Sequence, residues 1–258
     1  MSQVTEFPLV WITGASTGIG RALAMRLADH GSTVLASARD AGKLAKLEAA
    51  SNDLVGHIIA LPLDVTDNDG VRAAYERIFA EHGVPDLCVL NAGTYIPTDG
   101  AIFSADAFAR QIDINWMGVV RVLDAIIPSM VSRRSGRIAV VGSVSGYRGL
   151  RTAAAYGATK AALINMCEAL HMELGDHRVK LQIVNPGFIE TPLTDKNDFR
   201  MPALMPVDSA AKAFHKGLKS DRFEITFPRG FTWTVKLMRL LPYAIYLPLI
   251  NWVTKKPG

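Results

Sequence analysis

Only two cysteines, Cys88 and Cys167, occur in 258 residues, too little sulfur for a disulfide framework. Each lies in apolar surroundings, one in an expected strand and one in an expected helix. That reads as two buried free thiols in a reducing cytoplasm. Charge of one sign is also scarce. The net charge is +4, and basic residues gather only in the C-terminal tail, so a nucleic-acid binder is not expected. The N-terminus lacks a basic leader, and the apolar run from Phe7 to Ile12 is too short for a signal core; it reads as the first strand. There is no internal repeat, low-complexity segment or linker, and no metal site is expected. Hydrophobic residues make up 49% and charged residues 20% of the chain. This composition suits a globular protein, and the length is compatible with one large α/β domain over residues 1–258.

Apolar runs alternate with helical periodicity, the pattern of a parallel sheet covered on both faces. Strands are expected at Phe7–Thr13, Thr33–Ser37, Ile58–Leu63, Leu87–Leu90, Arg137–Val141, Leu181–Val184 and Glu224–Phe227. Helices are expected at Gly18–His30, Ala41–Ala50, Asp69–His82, Phe108–Ser132, Ala153–Leu174 and Asp208–Lys219. Gly31, Gly83, Gly136 and Gly175 stand where left-handed helix C-caps are needed. Residues 188–205 hold two prolines and little periodicity. They read as a long connection over the carboxyl end of the sheet, where α/β folds bind ligands.

Two segments specify chemistry. The first strand runs into Gly14, Gly18 and Gly20, spaced G-x-x-x-G-x-G. Glycines let the backbone approach a pyrophosphate, and the helix that follows supplies unpaired N–H groups and positive potential. The widely cited dinucleotide fingerprint is G-x-G-x-x-G, so this is a variant of it. At the end of the second strand, a carboxylate would bind both ribose hydroxyls and repel a 2′-phosphate. This chain has Ser37-Ala38-Arg39 there, with no acid until Asp40. Arg39 can pair with a 2′-phosphate and Ser16 can add a hydroxyl contact, which favours NADPH over NADH. Far downstream, Tyr156 and Lys160 are four residues apart, on one face if the segment is helical. A neighbouring cation favours the phenolate of a tyrosine whose free pKa is about 10.

Together with Asn91-Ala92-Gly93 and Ser143, these segments resemble the short-chain dehydrogenase/reductase family over about the first 227 residues. The resemblance implies a Rossmann-type, seven-stranded parallel sheet in the order 3-2-1-4-5-6-7. It implies cofactor contacts from Gly14, Ser16, Thr17, Gly18, Ile19 and Gly20, and from Asp64 with Val65 after strand three. Asn91, Ala92 and Gly93 form the turn closing strand four, while Pro186, Gly187, Ile189 and Thr191 match the segment that holds the nicotinamide carboxamide. It also implies a catalytic tetrad. Tyr156 would serve as general acid or base, and Lys160 would lower its pKa and hold the nicotinamide ribose. Ser143 would fix the substrate oxygen, and Asn115 would hold a water linking Lys160 to solvent. Leu90 departs from the pattern, since many members carry a second asparagine there.

The implied activity is hydride transfer between NADP(H) and a carbonyl or alcohol, with NAD the less favoured cofactor. A non-catalytic nucleotide-binding or scaffold protein on the same fold is the alternative from another class. Tyr147, Phe188, Leu193, Phe199, Met201, Leu204 and Met205 are candidate pocket lining, which suggests an apolar substrate. The two long helices resemble the pair that forms an intersubunit bundle, so a homodimer or homotetramer is expected. Residues 228–258 form an apolar extension. Thr232, Lys236, Arg239, Tyr243 and Tyr246 share one helical face, and helical pieces broken near Pro242 or Pro248 are expected to bury their apolar face. Three readings stay open for this tail: packing on the subunit or a neighbour, peripheral contact with a membrane through its cations, and closure over the substrate cleft. In the membrane reading the protein is a membrane-surface reductase of lipid-like ketones.

Overall fold

A computed structural model describes residues 5–196 and 201–254. Phe199, Lys255 and Lys256 lie outside these residues. The seven strands are β1 (Leu9–Thr13), β2 (Thr33–Ala38), β3 (His57–Pro62), β4 (Leu87–Leu90), β5 (Gly136–Val141), β6 (Val179–Pro186) and β7 (Glu224–Phe227). They form one parallel sheet in the order β3-β2-β1-β4-β5-β6-β7. The helices between them are α1 (Gly18–Asp29), α2 (Ala41–Ala49), α3 (Asn68–His82), α4 (Ala105–Ile112), α5 (Gly118–Arg133), α6 (Ala154–Gly175) and α7 (Val207–Leu218). The tail adds α8 (Arg229–Leu237) and α9 (Tyr243–Thr254).

Alternation along the central strands splits the core into two layers. Trp11, Leu35, Cys88 and Ile138 face Val122, Ile126, Leu163 and Cys167 on one side. Val10, Ile12, Val34 and Val89 face Leu23, Leu27 and Phe214 on the other. Both cysteines are buried and free, as expected. Burial on both faces explains why the strands are apolar runs and so stand out in the sequence. The strand order reverses between β1 and β4, which opens a crevice beyond their carboxyl ends.

Three local expectations need correction. The helix expected from Phe108 starts at Ala105, capped by the Ser104 hydroxyl, and is interrupted by a π-turn over Asp113–Met117 before α5 begins. Gly31 and Gly83 have positive φ, but Arg134 at φ 52° is the left-handed cap of α5, and Gly136 opens β5. Gly175 is the last residue of α6, and Arg178 at φ 59° turns the chain afterwards.

The third correction concerns the tail. It breaks before Pro242, as one of the two expected positions, while Pro248 sits inside α9. Only part of its apolar surface turns inward: Phe231 and Val235 pack on the core. Thr232 and Tyr246 are buried, whereas Trp233, Leu237, Leu240, Tyr243, Leu247 and Trp252 are exposed. The reason is the docking partner. Arg148 donates to the carbonyls of Met238, Arg239 and Leu241 at 3.3, 3.2 and 2.8 Å. Its guanidinium also lies 4.0 Å from the ring centre of Tyr246 and 4.8 Å from that of Tyr243. The Tyr246 hydroxyl donates to the Gly149 carbonyl at 2.8 Å. A polar anchor of this kind buries Tyr246 and leaves Leu237, Leu240 and Leu247 outside.

Candidate active site

The crevice is a cleft of about 880 Å³. Ser16, Thr17, Ile19, Arg39, Asp64 and Val65 line one end, Ser143, Tyr156 and Lys160 the middle, and Pro186, Gly187, Ile189 and Thr191 the far wall. Gly14, Gly18, Asn91, Ala92 and Gly93 also line it, so the sequence candidates converge. Gly20 and Asn115 lie behind the wall, both buried.

The glycine turn is held from below. Asn91 donates from its amide to the carbonyls of Thr13 and Gly14 at 3.2 and 2.9 Å. A Cβ on Gly20 would stand 2.4 Å from the Gly14 carbonyl oxygen and 2.5 Å from the Asn91 amide nitrogen, closer than atoms tolerate. A Cβ on Gly14, at φ +68°, would stand 2.7 Å from Ala92 Cα. The turn therefore presents bare backbone and the N-terminus of α1 to the cleft, a cradle that suits a pyrophosphate.

At the adenosine end, Ser37 is buried and its hydroxyl accepts from the Trp11 indole N–H at 2.9 Å. Asp40 caps α2. It accepts from the Lys43 backbone N–H at 3.0 Å and pairs with the Lys43 ammonium at 3.2 Å. These contacts, the backbone one first, lower its pKa. Lys43 lines the cleft beside Arg39, a second cation absent from the sequence candidates. Its place one turn from the strand-two end was the available signal. Asp64 accepts from the backbone N–H and hydroxyl of Thr66 at 3.0 and 2.9 Å, which fixes its carboxylate at the cleft wall.

In the middle of the cleft, Ser143 follows β5 and its oxygen accepts from the Ser145 N–H at 3.1 Å. Tyr156, in the first turn of α6, lies edge-on to Tyr95 at 5.3 Å between ring centres. Burial pushes the Tyr156 phenol up to about 12, although its hydrogen bond with Ser143 works the other way. Lys160 is buried and donates to the Val141 carbonyl at 2.7 Å, with its nitrogen 5.6 Å from the Tyr156 ring centre. Burial lowers its pKa to about 8. The two side chains share one face as their spacing requires, but the phenol is raised here, because desolvation outweighs the hydrogen bond with Ser143. The π-turn directs Asn115 inward. Its oxygen accepts from the Thr94 N–H at 2.7 Å, and its amide donates to the Thr94 carbonyl at 2.9 Å and the Thr159 hydroxyl at 3.2 Å. Such π-turns within helices often mark functional sites.

Of the candidate substrate residues, Phe188 and Leu193 line the cleft. Met201, Leu204 and Met205 are not part of its wall, and Met205 lines a second cavity beside β7. Tyr147 is buried elsewhere, its hydroxyl donating to the Glu224 carboxylate. Glu224 also accepts from Asn185 at 2.8 Å and pairs with Lys236. Burial pushes its carboxyl up, but Lys236, Tyr147 and Asn185 outweigh this and hold it below the usual range. Tyr95, Ile114 and Leu150 take the wall positions that sequence reasoning missed. They come from loops and helix ends with no periodic signal.

Known proteins share this arrangement. A family model described as short chain dehydrogenase matches residues 8–201. The chain belongs to the short-chain dehydrogenase family. An uncharacterized oxidoreductase of Myxococcus xanthus is 34% identical over 235 residues, covering 91% of this chain and 93% of that one. A short-chain dehydrogenase from Sphingobium yanoikuyae, solved in complex with NADPH, superposes with a TM-score of 0.80 at 26% identity, over 97% of this chain and 98% of that one. A short chain dehydrogenase/reductase from Burkholderia phymatum, solved in complex with NAD, has the same fold, with a TM-score of 0.84 at 21% identity over 98% and 99% of the two chains. The short-chain dehydrogenase described here is accordingly a nicotinamide-dinucleotide-dependent oxidoreductase with a Rossmann-type sheet.

Proposed function

We propose that the enzyme interconverts an apolar carbonyl compound and its alcohol, with NADPH as the preferred cofactor and Tyr156 as general acid and base. One observation carries the reading: Tyr156 and Ser143 interact in the middle of a cleft whose one end is a glycine cradle and two cations. Bare backbone at Gly14, Gly18 and Gly20 fits a pyrophosphate, and Arg39, Lys43 and Ser16 fit a 2′-phosphate. Asp40, the nearest acid, is already engaged by Lys43. When bound, NADPH supplies the hydride.

The chain's own residues manage the proton. With its pKa near 12, Tyr156 is protonated at neutral pH and ready to donate to a carbonyl oxygen that gains negative charge. Ser143 holds that oxygen in line. Lys160, with its pKa near 8, carries a proton at neutral pH and would hold the nicotinamide ribose, while Asn115 would anchor the water path that returns a proton to it. Asp64, Val65, Asn91, Ala92, Gly93, Pro186, Gly187, Ile189 and Thr191 complete the cofactor wall. Tyr95, Ile114, Leu150, Phe188 and Leu193 make the substrate end apolar.

We infer one catalytic domain over residues 1–258, with 228–258 as its extension, acting in the cytoplasm as a homodimer or homotetramer through α5 and α6. Two buried free thiols support that compartment, and the tail supports a peripheral membrane contact. The test is oxidation of NADPH and of NADH, followed at about 340 nm, with a panel of ketones and aldehydes. Turnover of apolar carbonyls with a preference for NADPH is expected. Cofactor binding without turnover of any panel member would favour a scaffold role instead.

A further inference from the structure

The tail leaves most of its large apolar side chains on the outside. More than half of the large apolar side chains exposed among the described residues belong to residues 228–254. Leu240, Trp252 and Tyr243 are 80%, 78% and 73% exposed, and Trp233 and Leu237 are 60% exposed. A soluble monomer does not ordinarily leave this many large apolar side chains of one segment in water.

What covers it is indicated by charge and by length. Residues 228–258 contain Arg229, Lys236, Arg239, Lys255 and Lys256 and no aspartate or glutamate. A second copy docked face to face would set cation against cation. Tryptophan and tyrosine among leucines, with Arg229 and Arg239 exposed beside them and Lys236 held by Glu224, suit the boundary of an anionic bilayer. At 1.5 Å per residue, the 12 residues of α9 reach about 18 Å, well short of the roughly 30 Å of a hydrocarbon core, so α9 lies on the surface. Among the described residues, one helix is long and apolar enough to cross a membrane, Ala105–Arg133. It carries Asn115 and buries Val122, Leu123 and Ile126 in the core.

The tail is also joined to the cleft wall. Arg151, which lines the cleft, donates to the Asn251 side chain of α9 at 2.9 Å. Tyr246 is bonded to Gly149, next to the cleft residue Leu150. Phe231 of α8 packs on the cleft residue Phe188, with ring centres 5.6 Å apart. A bilayer seated on the tail thus adjoins the apolar end of the cleft.

We propose that the outward face of α8 and α9 docks on an anionic phospholipid surface and that the substrate is a carbonyl or alcohol dissolved in that bilayer. The proposal rests on the carbonyl-reductase reading and adds the source of the substrate. Full-length protein would be floated with phosphatidylcholine vesicles, with and without phosphatidylglycerol. Co-flotation should be more than about tenfold stronger with the anionic lipid and should fall in 1 M salt, where the Debye length is about 3 Å. The variant Leu237→Glu/Leu240→Glu/Trp252→Glu changes only exposed side chains. It should stay at the bottom while reducing a water-soluble ketone as wild type does, and it should lose most of its kcat/KM for a long-chain ketone held in vesicles. Wild-type protein that does not float on anionic vesicles, or a variant that floats as well, overturns the docking. So does a variant whose only change is a smaller oligomer on sizing, since a second copy would then cover the face. Flotation with equal kcat/KM for the vesicle-borne ketone in both proteins overturns the substrate source. Loss of soluble-ketone turnover in wild type would instead count against the carbonyl-reductase reading.

Discussion

The ammonium of Lys160 lies 5.6 Å from the centre of the Tyr156 ring, against its face, and donates to the Val141 carbonyl instead of the phenol. Burial then drives each group toward its neutral form, the phenol up to about 12 and the amine down to about 8. The lysine is thus a charge kept in the core at a cost to the fold.

Lys160→Met should raise the melting temperature at pH 7 by a few degrees while abolishing turnover. The sign follows from the lowered folded-state pKa. Between about pH 8 and the ordinary lysine value the unfolded chain binds more protons, so wild-type stability rises with pH. The advantage of the variant should shrink over that interval. Calorimetry of both proteins from pH 7 to 10.5 checks it.

Tyr156→Phe should cut turnover by about 10²–10⁴-fold, the usual contribution of a positioned general acid, with NADPH affinity nearly unchanged. The ring keeps its edge contact with Tyr95, so only the transferable proton is lost. Steady-state rates beside a fluorescence titration of NADPH separate the two effects. Near wild-type turnover would remove Tyr156 from its role.

Arg39→Ala and Lys43→Ala should each weaken NADPH binding by about 1.5–3 kcal/mol, the range for hydrogen bonds to charged groups. NADH binding should hardly move in Arg39→Ala. In Lys43→Ala it should hold or rise, because Asp40 is released from its ion pair and its carboxylate can then accept from the ribose hydroxyls. Parallel titrations with both cofactors give the answer. An equal loss for the two in Arg39→Ala would mean that it does not read the phosphate.

His215 should make the fold sensitive to acid. Burial first, then the charges of Lys219, His30 and Arg26, lower its pKa to about 4, and its ring lies edge-on to His30 at 4.8 Å. A lowered pKa means full stability above the unfolded value of about 6.5, lost as pH falls toward 4. Urea midpoints should decline over that window in wild type and decline less in His215→Phe. Parallel curves would exclude His215 as the cause.

Much of this was legible in the chain. β4 and β7 end where their apolar runs end, and the cofactor wall follows from glycine spacing and strand ends. The π-turn at Asn115 was not legible, because it reflects a choice of hydrogen-bond register made by contacts with Thr94 and Thr159. Tyr147 was placed in the pocket by its loop position, and its partner Glu224, 77 residues away, left no local signal against that. The shared helical face of Thr232, Lys236, Arg239, Tyr243 and Tyr246 was visible in the tail, and two of its members, Thr232 and Tyr246, are buried. Its orientation was not, since Arg148 reads as an ordinary loop cation until its three carbonyl partners are seen.

The crowding of Asn91, Gly14 and Gly20 bears on how this sequence can drift over generations. A one-at-a-time substitution scan would score all three as fixed and would suggest three separate demands. They answer to a single volume: any side chain at Gly20 needs the space that the Asn91 amide occupies, and removing that amide strips the carbonyls of Thr13 and Gly14 of their donor. Lineages can therefore change this turn only by concerted exchange. Libraries meant to reshape the cofactor cradle should vary the three positions together.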